Sequence, residues 1–98
     1  MTTTQKLDAI RTAISASDWA TTVAAAVDVL TNDTEGVFAA AANHNLSTGD
    51  WLQASPAGKL DAALYFDGDD SGMTVAAYDA INAAVSNDVA EALNAVCY

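Results

Sequence analysis

The sequence predicts an all-α fold in which residues 1–98 form one domain, a compact irregular bundle of about five to seven short helices. Three observations predict it. Large apolar side chains recur every three or four residues through most of the chain, which is the spacing of one helix face. Alanine, the strongest helix former, fills many of the positions between them. Serine, threonine and aspartate stand just before several of these runs, where such residues cap helices.

Two helices are predicted in the first third of the chain. Thr2, followed three residues later by Gln5, forms a capping box that opens a helix over about residues 4–16. Ser17 is the expected N-cap of the second helix, which ends at residues 32–33. The apolar stripe of this second helix has the spacing i, i+4, i+8, i+11 and consists of Trp19, Val23, Val27 and Leu30.

Short helices are predicted in the middle of the chain. Thr34 caps one that ends near residues 43–45, and Ser47 opens a short turn that carries Trp51. Residues 55–56 are Ser-Pro, the arrangement of an N-cap followed by proline at the first helical position.

The last quarter of the chain has a helical stripe over residues 73–97. Its apolar positions are Met73, Ala77, Ile81, Val85, Val89, Leu93 and Val96. Residues 86–88 are polar, so they either break this stretch into two helices or lie on the exposed face of one. A second alternative concerns residues 64–75, where two short apolar runs flank a Gly/Asp-rich segment and fit a short β-hairpin. The alanines on both flanks favour helix.

The charge of the chain excludes several partners. Its formal net charge is −10, with 3 basic residues against 13 acidic ones. A nucleic-acid-binding surface needs a cluster of basic side chains, and an anionic membrane also requires one. We therefore expect no nucleic acid or membrane partner. Many aspartates and few lysines fit either adaptation to concentrated salt or an acidic protein kept soluble by its charge.

The location of the protein follows from what its sequence lacks. No apolar stretch approaches the length of a membrane span, and the first residues lack the apolar run of a signal peptide. We expect a soluble protein, cytoplasmic or associated with a virus particle.

A Gly/Asp-rich segment is the one candidate metal site. Residues 67–72 resemble the first half of an EF-hand calcium loop, with glycine at the sixth position. The residues at the first, third and fifth positions, which would ligate Ca²⁺, are Asp67, Asp69 and Ser71. The resemblance then fails, because the twelfth position is Tyr78 where a bidentate glutamate belongs. The competing interpretation is an ordinary loop that leads into the next helix.

No catalytic apparatus is recognisable. His44 is the only histidine and Cys97 the only cysteine, so the sequence has no zinc-binding pattern and no intrachain disulfide. No nucleophile motif accompanies them. We expect no enzymatic activity, no small-molecule substrate and no cofactor other than the Ca²⁺ considered above.

The functional prediction is a non-enzymatic structural or interaction subunit that is used in several copies, for example in the capsid, neck or tail of a virus. Trp51 and Tyr98 are the aromatic residues expected to contact other chains, because one lies on a weakly specified turn and the other at the chain end. Two alternatives stay open. One is a small calcium-binding module, and the other is an acidic decoy that imitates nucleic acid and occupies a basic protein.

Overall fold

The computed structural model describes residues 1–65 and 71–97, and within these ranges it contains seven α-helices and no strand. The helices are α1 (Thr3–Ser15), α2 (Trp19–Asn32), α3 (Thr34–Asn43), α4 (Thr48–Gln53), α5 (Pro56–Leu64), α6 (Val75–Ala84) and α7 (Asn87–Ala95). The prediction of an all-α bundle of short helices is confirmed.

Side-chain caps fix most of the helix starts. The capping box of α1 forms as predicted, with Thr2 accepting a hydrogen bond from the Gln5 N–H and Gln5 accepting one from the Thr2 N–H. The prediction for α2 is wrong by one residue. Its N-cap is Asp18, whose carboxylate accepts the Thr21 N–H, because Ser17 has a φ of 54° and forms the bend between the helices. The other helices that begin with a side-chain cap use Ser47, Ser55, Thr74 and Ser86.

The stretch 73–97 contains two helices. Val85 and Ser86 both have extended backbone conformations, and the Ser86 hydroxyl accepts the Val89 N–H to start α7. The hairpin alternative for residues 64–75 is not supported. Leu64 is helical and Val75 begins α6, while residue 65 and residues 71–74 form no strand.

The core lies between α1, α2, α3 and α5, with α3 packed on α5 and α1 on α2. Its largest fully buried side chains are Trp51, Ile10, Leu30, Leu60, Ile81, Leu93, Val29 and Val37. The last two helices are peripheral. Helix α6 packs on α2 and α5 and buries only Ala77 and Ile81, and α7 packs on α3 and α2 and buries only Leu93. They are therefore held by less buried surface than the central helices.

A polar contact ties the start of α1 to the junction of α2 and α3. The Asp33 carboxylate accepts hydrogen bonds from the Thr3 hydroxyl at 2.7 Å and from the Lys6 ammonium at 2.8 Å. These two hydrogen bonds hold the pKa of Asp33 below its ordinary value. Asp28 is also near Lys6, at 3.6 Å, but its side chain is 54% exposed, against 15% for Asp33. Asp33 is therefore the main partner of Lys6.

We expect Asp33→Ala to destabilise the protein by about 1 kcal/mol near neutral pH, because Thr3 and Lys6 lose a charged acceptor. The lowered pKa means that this stabilisation is complete above the ordinary aspartate pKa of 3.8 and is lost as pH falls through the folded-state value. The difference in Tm between wild type and variant should therefore shrink in acid. Thermal unfolding followed by circular dichroism at neutral and acid pH measures it.

The control for this experiment is Asp28→Ala, which removes the same charge from a more exposed position beside Lys6. We expect a smaller loss of Tm for this variant than for Asp33→Ala, with little dependence on pH. Equal losses for the two variants would contradict the assignment of Asp33 as the main partner.

Candidate interaction surface

Trp51 lies in the centre of the core. Its side chain has no exposed surface, its indole N–H donates to the Leu93 carbonyl at 2.8 Å, and its ring meets that of Phe38 edge-on at 5.1 Å. The surface position predicted for Trp51 is therefore wrong. The reason is that Leu93 of α7 supplies a carbonyl for the indole N–H, and Leu93 and Phe38 belong to the same apolar cluster as the ring.

The calcium prediction falls largely on residues outside the described ranges. Asp67 and Asp69 lie there, and so does Tyr98, the second predicted interface residue. Ser71 is described and is 3% exposed. Its N–H donates to Asp61 Oδ1 at 3.0 Å, and its hydroxyl accepts the Met73 N–H at 3.4 Å. Ser71 thus links the residues that precede α6 to α5.

The remaining candidate groups for metal binding or catalysis are dispersed. His44 closes α3 and its Nδ1 lies 3.0 Å from the Ala62 carbonyl oxygen. The Cys97 thiol donates to the Asn94 carbonyl at 3.1 Å. Within residues 1–65 and 71–97, no three metal-ligating side chains form a group and no pocket is present. The described part of the chain also has no helix with the length and apolar content needed to cross a membrane.

Among the seven helices of the described residues, α6 has the outer face with the fewest polar side chains. We define it by six exposed residues, which are Val75, Ala76, Asp79, Ala80, Ala83 and Ala84. Val75 is 77% exposed, and the N-terminal Met1 is the only other large hydrophobic residue exposed in the described ranges. Asp79 is the single charge on this face, so α6 presents apolar side chains both to the core and to the surroundings.

The neighbouring helix α7 shows the usual arrangement. Its exposed positions include Asp88 and Glu91, while Leu93 faces the core. A surface helix normally has one apolar stripe and one polar face, as α7 does. The outer face of α6 therefore differs from that of α7, because it is mostly apolar and not polar.

The chain has 13 acidic residues and only 3 basic ones, so its surface is acidic, and the three basic side chains are already engaged or buried. Lys6 pairs with Asp33, and Arg11 pairs with Asp8 at 2.6 Å while donating to the Leu64 carbonyl at 2.9 Å. The third, Lys59, is buried, with 3% of its surface exposed. These are all the lysines and arginines of the chain. An approaching molecule therefore meets carboxylates that largely lack neutralising partners.

The exposed apolar face of α6 was not predicted from the sequence. The sequence predicts one apolar stripe here, formed by Met73, Ala77, Ile81 and Val85. The alanines beside this stripe were explained by their helix propensity and not as part of an exposed apolar face. The available signal was that residues 75–84 contain one charged residue, Asp79. That composition leaves no polar face for solvent.

Comparison of the chain with protein-family models, curated proteins and solved structures gave no match.

Proposed function

We propose that this chain is a non-enzymatic structural or interaction subunit that joins further copies of itself through the outer face of α6. The observation that carries the proposal is a helix that is apolar on both sides, with Val75 77% exposed. A helix apolar all round is stable when both sides are covered. A repeated part of a virus capsid, neck or tail is one setting for such a subunit, and a cytoplasmic assembly is another.

The low charge of this face allows a second copy to bind there. Each copy carries a formal charge of −10, so two copies repel each other wherever carboxylates face one another. The outer face of α6 carries only Asp79. Two copies that meet through this face therefore bring few carboxylates together and cover the apolar side chains of α6. Salt screens the repulsion that remains, so association should strengthen as salt is added.

The size of the face sets the strength of the contact. A helix of ten residues is about 15 Å long. One face of it buries less than the roughly 800 Å² per partner of a standard stable interface. Association through α6 alone is therefore weak and depends on concentration. Such contacts become effective when several are made at once in an assembly.

The test is the solution mass, measured by size-exclusion chromatography with light scattering over a range of concentrations, in dilute buffer and in molar KCl. We expect oligomers to form in KCl and to decrease in dilute buffer. Ala80→Glu places a second carboxylate in the middle of the outer face of α6 and should abolish association. Ala92→Glu, on the exposed side of α7, adds the same charge elsewhere and should retain it. Monomers at every concentration and salt would overturn the proposal.

A second candidate, the acidic decoy, is favoured by the engagement of Lys6 and Arg11 in ion pairs and the burial of Lys59. A surface of this kind would attract a basic, DNA-binding protein. Salt distinguishes the two functions, because added salt weakens binding between opposite charges and strengthens contact between like-charged copies. Binding to a basic protein that is lost in molar KCl, with Ala80→Glu unaffected, would support the decoy.

A further inference from the structure

A short junction separates the last two helices. It consists of Val85, with φ −79° and ψ 125°, and Ser86, with φ −71° and ψ 161°. These are extended backbone conformations that any residue adopts. Residues 75–98 include no glycine and no proline, and Ser86, Asn87 and Asp88 are exposed. Neither backbone sterics nor burial therefore prevents the junction from becoming helical.

A straight junction would satisfy backbone groups that the bend leaves open. The last carbonyl groups of a helix and the first N–H groups of the next lack partners within a helix. In one continuous helix, the N–H groups of residues 86–88 would donate to the carbonyls of residues 82–84. The apolar positions that continue across the junction at intervals of four residues are Ala77, Ile81, Val85, Val89 and Leu93. Each would lie next to the previous one on such a helix.

Two contacts of α7 favour the bend. The Ser86 hydroxyl accepts the Val89 N–H at 3.3 Å and caps the helix. The Leu93 carbonyl accepts the Trp51 indole N–H at 2.8 Å, and Leu93 is the only buried side chain of α7. If the junction straightens, α7 leaves this site, and the indole N–H loses its acceptor. Only a segment that matches α7 restores both the acceptor and the apolar contact of Leu93.

We propose that two copies of this chain exchange α7, each with residues 75–95 as one continuous helix that places its α7 segment against Trp51 of the other copy. The occupant of the vacated site is a second copy because its α7 reproduces the contacts that were lost. The exchange is reciprocal, so it closes into a dimer with two-fold symmetry. It does not use the outer face of α6 and therefore goes beyond the association proposed above.

Exchange differs from association through α6 in its rate and its persistence. Helix α7 must leave its own chain before it docks on another, so freshly isolated monomers exchange slowly. Once the dimer has formed, its separation again requires α7 to undock. Association through the outer face of α6 is weak and reverses on dilution. Since the closed monomer and the exchanged dimer share most contacts, protein concentration decides between them.

The test is refolding from urea at high protein concentration in molar KCl, with a reducing agent because Cys97 is a free cysteine. The protein carries Ala80→Glu, which removes association through α6. The refolded sample is diluted, and its mass is measured by size-exclusion chromatography with light scattering. We expect dimers that survive dilution, and monomers alone when refolding takes place at low concentration.

Three variants test whether the surviving dimer needs a straight junction. Asn87→Pro suits the first position of α7 after the extended Ser86, but it breaks a continuous helix. It should reduce the surviving dimer about tenfold or more. Asn87→Ala removes the same side chain without this restriction and should retain the dimer. Ser86→Ala removes the cap of α7 and should raise the ratio of dimer to monomer about fivefold for each junction.

Two results would overturn the exchange. One is monomers alone after refolding at high concentration, in the parent protein and in Ser86→Ala. The other is an undiminished surviving dimer in Asn87→Pro, with its helix content checked by circular dichroism. Failure of the proposed function is distinguishable. A protein that associates reversibly through α6 but gives no surviving dimer refutes only the exchange, and surviving dimers from a protein whose fresh monomers never associate refute only the α6 contact.

Discussion

Trp51→Ala is expected to destabilise the fold by about 3–5 kcal/mol, the usual cost of truncating a fully buried tryptophan. The indole is completely buried, packs on Phe38 and supplies the hydrogen bond to the Leu93 carbonyl. A domain of this size has about 5–15 kcal/mol of stability in total. The variant should therefore lose a large share of its stability, which urea unfolding followed by circular dichroism would measure.

Two further variants separate the contributions to this effect. Trp51→Phe keeps an aromatic ring but leaves the Leu93 carbonyl without its donor, at an expected cost of about 1–3 kcal/mol. Trp19→Ala removes a tryptophan that is only partly buried at the start of α2, and it should cost less than Trp51→Ala. Equal losses for Trp19→Ala and Trp51→Ala would contradict the central position of Trp51.

The second large effect is expected at Gly36. A β-carbon there would lie 2.9 Å from Thr3 Cβ and 2.8 Å from Thr3 Cγ2, so the start of α1 would have to move away from α3. That movement would strain the hydrogen bond from Thr3 to Asp33. Gly36→Ala should therefore destabilise the protein by about 1–2 kcal/mol, even though alanine favours helix by about 1 kcal/mol.

Gly49→Ala is the matched control, and it is expected to change the stability in the opposite direction. Gly49 is also helical, but a β-carbon there would meet only the Ser47 hydroxyl oxygen, at 4.0 Å. Gly49→Ala should therefore stabilise the protein by about 0.5–1 kcal/mol. Urea unfolding of both variants gives the comparison. A stabilised Gly36→Ala variant would show that α1 and α3 are not in close contact in solution.

The helices were well predicted because their signals are local. The Thr2–Gln5 capping box and the Ser-Pro pair at residues 55–56 each start a helix where the sequence indicated one. Such caps act through backbone N–H groups two or three residues away. The one-residue error at the start of α2 arose because Ser17 and Asp18 are both good caps, and the bend after α1 decides between them.

The candidate sites were less predictable because they depend on contacts between distant residues. Trp51 lies on a short helix with no strong apolar pattern of its own, and its burial is completed by Leu93, 42 positions further along the chain. The outer face of α6 is exposed because α2 and α5 cover only its other side. The residues around Trp51 do not indicate its burial, and the one local signal for the outer face of α6 is that residues 75–84 contain a single charged residue.

The sequence by itself determined the helical class, most helix boundaries and the acidic charge, because propensity, capping and composition are properties of short segments. Tertiary structure alone decided that Trp51 is central, that Lys59 is buried and that α6 keeps an exposed apolar face. These features depend on which helices pack together, and the free energy of that packing is shared among residues far apart in the chain.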